Sequence, residues 1–223
     1  MVLEAIRNGD VLRVFDDITS EIIIQKDHLT ELDSIGGDGD HGVNLERGFL
    51  QVRSQMGQLA GEDVGSILTS VGSILMSTVG GSTGSLYGAS LIKAGSVCKG
   101  KSELTAQDVP KIFQECENVV ARLGGAKPGD KTMLDVLHPA NEAISKAARE
   151  SVDLVYVLVE GAKAARLGLE CTKSMVARKG RAMYLGNRTL GNYDVGAASL
   201  CLMIESCART VKAIDSSKTG ENA

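Results

Sequence analysis

Apolar residues recur at three- and four-residue steps along most of the chain, and this spacing predicts helices. The first stripe is Val11, Val14, Phe15, Ile18 and Ile22. Ile22-Ile23-Ile24 alone could be a strand, but the flanking period makes it part of a helix ending near Asp33. A second helix starts after His41 and runs through Phe49, Val52 and Met56. A third runs from about Glu62 to Val79 and repeats V-G-S-I-L at Val64 and Val71. That seven-residue step sets Gly65 and Gly72 on similar faces, a small-residue seam suited to close packing. A fourth helix begins near Ser82 and ends before Lys99. A fifth is introduced by Thr105, with Asp108 three residues later, and reaches Leu123. The sixth begins near Lys131 and carries Pro139 as a kink point. A seventh covers about Ser151 to Thr172, and an eighth runs from near Asp194 past Cys207.

No β-hairpin or βαβ pattern competes with these eight segments. No linker divides the chain. The expected fold is all-α: one domain over residues 1–215, packed as an antiparallel barrel or bundle of eight helices, then a frayed polar tail over 216–223.

Composition narrows the function. A length of 223 residues with 43% hydrophobic residues suits an ordinary globular core. A net charge of -4 offers no general grip on nucleic acid, and 3% aromatics with no tryptophan weakens any base-stacking role. Five cysteines without a C-x-x-C spacing fit a reduced, cytoplasmic setting. No signal peptide and no membrane span is expected.

The chemistry concentrates in glycine-rich loops between helices. Residues 33–42 read D-S-I-G-G-D-G-D-H-G. Asp33, Asp38 and Asp40 repel one another unless a cation sits among them. Hard oxygen donors without cysteine or several histidines favour magnesium, calcium or manganese. An EF-hand fails, because Val43 and Phe49 fall where its glycine and bidentate glutamate belong. A glycine-rich turn with aspartates as helix caps is the plain alternative, but a cap needs one aspartate, not three. His41 could bond a phosphate, orient an aspartate or cap the second helix.

Gly80-Gly81-Ser82-Thr83-Gly84-Ser85 opens the fourth helix, where free N–H groups and the helix dipole attract anions. Alone, a capped helix with Gly84 and Gly88 against a neighbour explains this stretch more simply. Residues 124–132, G-G-A-K-P-G-D-K-T, almost match a P-loop. Asp130 is inserted before the lysine and no strand precedes it, so that reading is rejected. A helix–helix turn with Asp130 capping the sixth helix replaces it. Between Met175 and Asn192 the helical pattern weakens, and an ordered loop this long is often functional. Arg181 or Arg188 could clamp phosphate oxygens there, though surface arginines are more often simply solvated.

These loops together resemble a known family. L-x-x-L-D-x4-D-G-D-H-G-x-N from Leu29 to Asn44 is similar to the signature of the nucleotide-binding domain of dihydroxyacetone kinases. G-G-S-T-G-S-L-Y-G, G-D-K-T-M-L-D, G-R-A-x-Y-L-G and D-x-G-A follow in the family's order, and the resemblance spans about residues 10–210.

The resemblance implies a barrel of eight antiparallel helices with the nucleotide at one end. It implies a magnesium-dependent kinase or phosphotransferase subunit, the L subunit, that carries ADP or ATP. A partner K subunit would hold the ketose. A phosphocarrier M subunit of the phosphotransferase system could recharge bound ADP; related enzymes use exchangeable ATP. A homodimer is compatible with the sequence, and so is a non-catalytic ADP-sensing regulator, although a sensor need not keep an intact acid cluster. Carried over position by position, Asp33, Asp38 and Asp40 would bind two magnesium ions. His41, Gly42, Val43, Asn44, Ser82 and Thr83 would touch the nucleotide. Gly124 and Met133 would line the adenine side, and Arg181 with Asp194, Val195 and Gly196 would complete the site. Two departures stand out. Gly36 occupies a usual isoleucine position, with Ile35 one place earlier, which implies a looser loop. Val195 replaces a proline at the last motif, which implies a weaker lid.

Overall fold

The computed structural model describes residues 2–220, with backbone only for 219 and 220. Its eight long helices are α1 (Asn8–Gly36), α2 (His41–Leu59), α3 (Val64–Thr78), α4 (Gly81–Val97), α5 (Val109–Gly124), α6 (Leu134–Glu150), α7 (Leu154–Thr172) and α8 (Val195–Gly220). Each packs on its neighbour in sequence, and α8 packs back on α1 to close a ring. The expected all-α fold of eight antiparallel helices is therefore what forms.

The apolar stripes face the ring interior. Ile22 is fully buried while Ile24, two positions on, is 72% exposed, as a helical rather than a strand period requires. Phe49, Leu45, Leu75, Ile67, Leu134 and Ile144 fill the centre. The closing seam between α1 and α8 adds polar bonds to apolar packing. Thr210 Oγ1 donates to Asp17 Oδ2 at 2.7 Å and Arg209 Nη2 to Glu21 Oε2 at 2.6 Å. Asp108, expected near the start of α5, accepts from both the backbone N–H and the hydroxyl of Thr105 (3.1 and 3.0 Å) and so fixes the turn into that helix.

Three features differ from the sequence expectation. First, a small sheet exists: β1 (Ala5–Arg7) pairs antiparallel with β2 (Glu103–Thr105), Ile6 opposite Leu104. Three-residue strands carry no readable alternation. Their buried Ile6 and Leu104 help cap the end of the ring where the odd-numbered helices begin. Second, the chain between α7 and α8 includes 3₁₀ turns over Arg181–Thr189, broken at Gly186 (φ 56°). Third, α8 continues through Ser216–Gly220, where a frayed tail is expected; residues 221–223 lie outside the described region. No helix among the described residues is long and apolar enough to cross a membrane.

The predicted glycine seam is real. A Cβ on Gly72 would lie 2.6 Å from the Gly88 carbonyl oxygen and 2.8 Å from Ile92 N, so α3 and α4 touch backbone to backbone. Neither neighbour can swing aside as a side chain would. Gly72→Ala should therefore cost about 1–3 kcal/mol, as overpacking does. Gly57→Ala, in α2 with nothing within 4 Å of the added Cβ, should gain about 0.4–1 kcal/mol through the unfolded chain. Urea midpoints of both variants check this. A neutral Gly72→Ala would mean the seam is looser than described.

Candidate functional site

An up-and-down ring that begins with α1 brings the N-termini of α2, α4, α6 and α8 to one end. The loops after α1, α3, α5 and α7 lie at the same end, and a cleft of about 580 Å³ opens between them. That volume suits a nucleotide-sized ligand.

One wall is the turn between α1 and α2. Gly37 N–H donates to the Asp33 carbonyl at 2.6 Å and ends α1. A Cβ on Gly37 would overlap Asp33 Oδ1, so this turn requires glycine. Asp33 is buried, and its Oδ2 accepts from the backbone N–H of Asp40 (3.0 Å) and of His41 (3.3 Å). Its other oxygen is left to the cleft. Carboxylate oxygens of Asp33, Asp38 and Asp40 come within 4.8 Å of one another. Three hard oxygen donors this close fit magnesium or manganese, with room left for ligand oxygens. Arg181 reaches across from the α7–α8 loop and pairs with Asp38. That guanidinium holds the Asp38 carboxyl below the usual carboxylate range.

His41 opens α2 but does not cap it. Its ring is buried, and burial lowers its pKa against the opposing pull of Asp33 and Asp40. Nε2 shares a hydrogen bond with Ser199 Oγ at 2.9 Å, and Nδ1 faces Thr83 Oγ1 at 3.5 Å. Ser199 Oγ is also 2.9 Å from the Tyr87 hydroxyl and donates to the Gly196 carbonyl at 3.1 Å. The Tyr87 hydroxyl lies 3.5 Å from the same carbonyl, so Tyr87, Ser199 and His41 form one hydrogen-bonded network. The network ties the starts of α2, α4 and α8 together.

Beside the α1–α2 turn stands the start of α4. Gly80 and Gly81 have φ of 76° and 59°, a turn that favours glycine, and no side chain caps the helix. The first N–H groups of α4 are therefore open to an anion. Arg47 supports this wall from below, with Nε donating to the Thr78 carbonyl at 2.9 Å and Nη2 to Asn44 Oδ1 at 2.8 Å. Leu86, Val120, Ala126 and Met133 form an apolar side near Gly124, suited to a flat ring.

Thirteen of the fifteen residues expected at the site line this cleft: Asp33, Asp38, Asp40, His41, Asn44, Ser82, Thr83, Gly124, Met133, Arg181, Asp194, Val195 and Gly196. Gly42 and Val43 do not. Gly42 lies against α1, where a Cβ would come within 2.6 Å of Thr30 Oγ1, and Val43 is 46% exposed. Arg188 also lies away from the cleft. Asp130 does not cap α6; its Oδ2 accepts from Lys127 N–H at 3.0 Å and closes the preceding turn. Gly36 is not the loose point its sequence register implies. A Cβ there would meet Ala182 Cβ at 2.9 Å, so the loop carrying Arg181 rests on this glycine.

Tyr87 stands in a motif already noted, but its hydroxyl partner Ser199 has no local signal. Asp135 is similar. Its buried carboxylate accepts from Gly129 N–H at 2.5 Å and Thr132 N–H at 2.7 Å and holds the turn before α6.

The structure is an all-helical ring with an acidic wall, an open helix start and an apolar side at one end. The DAK2 domain family matches residues 35–209, and the chain belongs to that family. The "PEP-dependent dihydroxyacetone kinase, ADP-binding subunit DhaL" of Escherichia coli is 36% identical over 84% of this chain and 90% of its own length. A Listeria innocua protein named "PEP-dependent dihydroxyacetone kinase 2, ADP-binding subunit DhaL" is 33% identical over 95% and 97%. The fold matches a crystal structure of the dihydroxyacetone kinase from C. freundii in complex with AMP-PNP and Mg2+. Its TM-score is 0.68 at 22% identity, over 94% of this chain and 35% of that one.

Asp194 precedes α8, and its Oδ2 accepts from Ala197 N–H at 2.7 Å. Burial pushes its pKa up to about 6; the Ala197 bond and Lys131 pull it down, while Asp135 pushes it up. The folded state therefore takes up a proton on Asp194 at a pH where the unfolded chain does not. Lowering the pH from about 7 to about 5 should stabilise the native protein relative to its Asp194→Asn variant. Urea midpoints of both proteins at the two pH values give the difference. A gap that widens against the wild type on acidification would contradict this environment.

Proposed function

We propose that the protein is the nucleotide-carrying subunit of a short-ketose kinase. It binds ADP or ATP with two magnesium ions at Asp33, Asp38 and Asp40. A phosphoryl group passes from this site to dihydroxyacetone, or a related short ketose, held on a partner K subunit. ADP stays as a bound cofactor and is recharged in place by a phosphocarrier protein. The observation that carries this reading is the convergence of three carboxylates beside the uncapped start of α4. The names of the similar E. coli and L. innocua subunits support it.

Magnesium, when bound, neutralises phosphate charge and polarises the group being transferred. The chain's own residues supply the rest. Asp33 is held by two backbone N–H groups, which fixes the acid cluster before any ligand arrives. The start of α4 donates N–H groups to phosphate oxygens, with Ser82 and Thr83 beside it. Arg181, now on Asp38, can turn its fork to a phosphate. The apolar side takes the base, with Gly124 leaving room and Met133 packing below. Asp194, Val195 and Gly196 close the far edge, and Asn44 stands at the near one.

A second reading keeps the same site but lets ATP exchange each cycle. Val195 favours it, because a valine at the first position of α8 leaves the lid edge less pre-set than proline would.

Asp38→Asn and Asp40→Asn should each abolish magnesium-dependent retention of ADP while leaving the helical circular dichroism unchanged. Calorimetric titration with Mg-ADP measures this, and wild-type affinity in both variants would sink the two-metal reading. The purified protein should not phosphorylate free dihydroxyacetone. With a K-type subunit, turnover should require the phosphocarrier relay. Rapid multiple turnover on ATP alone, with ADP leaving each cycle, would decide for the exchange reading.

A further inference from the structure

The near-P-loop stretch places Lys131 in the cleft wall where a phosphate-binding lysine would stand, yet its ammonium is taken up by the protein's own backbone. Nζ donates to the carbonyls of Met175 (3.2 Å), Thr189 (2.5 Å) and Asn192 (2.7 Å). An ammonium has three protons, and here each has a backbone acceptor, so none remains for a phosphate. Lys131 is only 3% exposed, and it is the one non-glycine residue with positive φ (60°) among the described residues. Surrounding bonds must sustain such a backbone.

The three carbonyls bracket the α7–α8 loop. One lies before the segment that carries Arg181, and two lie after it, just ahead of Asp194. A single buried cation thus gathers both ends of the loop. Weaker bonds follow the same seam: Arg178 N–H to the Asp130 carbonyl (3.0 Å), Ala177 N–H to Thr189 Oγ1 (3.0 Å) and Gly191 N–H to the Lys173 carbonyl (2.8 Å).

We infer that Lys131 is a positioning residue that holds the α7–α8 loop closed over the cleft and thereby sets how long a nucleotide stays there. The nucleotide half of this inference rests on the function proposed above; the clamp itself does not. Without the ammonium, three sheltered carbonyls lose their donor and the loop opens. Asp33 keeps its two backbone N–H bonds on the α1–α2 turn, while the Arg181–Asp38 pair moves with the loop.

Two variants test it. Lys131→Met removes the charge at similar length. Lys131→Gly also removes it but relaxes the backbone, so a conformational origin would leave this variant like the wild type. In ligand-free protein, hydrogen exchange at Ala177, Arg178 and Gly191 should rise about ten- to a hundredfold in both variants, the scale of a lost hydrogen bond to a charged group. Amides in α3 and α4 should exchange at wild-type rates. Release of Mg-ADP, followed by a chase with excess ADP, should quicken by a similar factor with little change in association. Unchanged loop exchange in either variant would overturn the clamp. Acceleration spread evenly over all helices would overturn the positioning role in favour of a general folding one. A wild type that fails to bind Mg-ADP would overturn the nucleotide half, while the exchange data still decide the clamp.

Discussion

The packing of α8 against α1 is the constraint on which everything else depends. Closing an up-and-down ring of eight helices forces the even-numbered helices to start at one end. Four partial positive charges therefore gather around one opening. The acid cluster sits in that field. Its carboxylates repel one another, but the helix starts, Arg181 and the two N–H groups on Asp33 reduce that cost before a metal arrives. Polar bonds reinforce the α1–α8 seam far from the cleft, with Thr210 on Asp17 and Arg209 on Glu21.

The two long walls of the cleft differ in kind. The α1–α2 turn and the start of α4 are held by backbone contacts and by the His41–Ser199–Tyr87 network. The α7–α8 side has 3₁₀ turns, a kink at Gly186 and many exposed side chains, Tyr184 at 80% among them. A ligand would meet fixed chemistry on one side and an adjustable cover on the other.

Much of this was legible in the sequence because it rests on local rules. Each helix buries one face, so its period survives in the order of residues. The acid loop is readable because three aspartates among three glycines have few structural uses. What was missed depends on distant partners. Lys131 matters through carbonyls 44 to 61 positions away, and Ser199 through a ring 158 positions away. Gly42 came with the family motif around His41, and the helical turn sets it against α1. The strands were invisible because each offers only one buried side chain.

The glycine seam between α3 and α4 has a mechanical consequence. Side-chain interfaces yield by switching rotamers; backbone pressed on backbone has no rotamers to switch. The pair is therefore a strut of low compliance, and α4 carries the anion-facing helix start at its tip. Whatever binds in the cleft cannot pull that tip toward itself. Adjustment of fit between one ligand and a slightly larger one falls instead on the α7–α8 margin opposite, which makes the strut the ruler against which ligand length is measured.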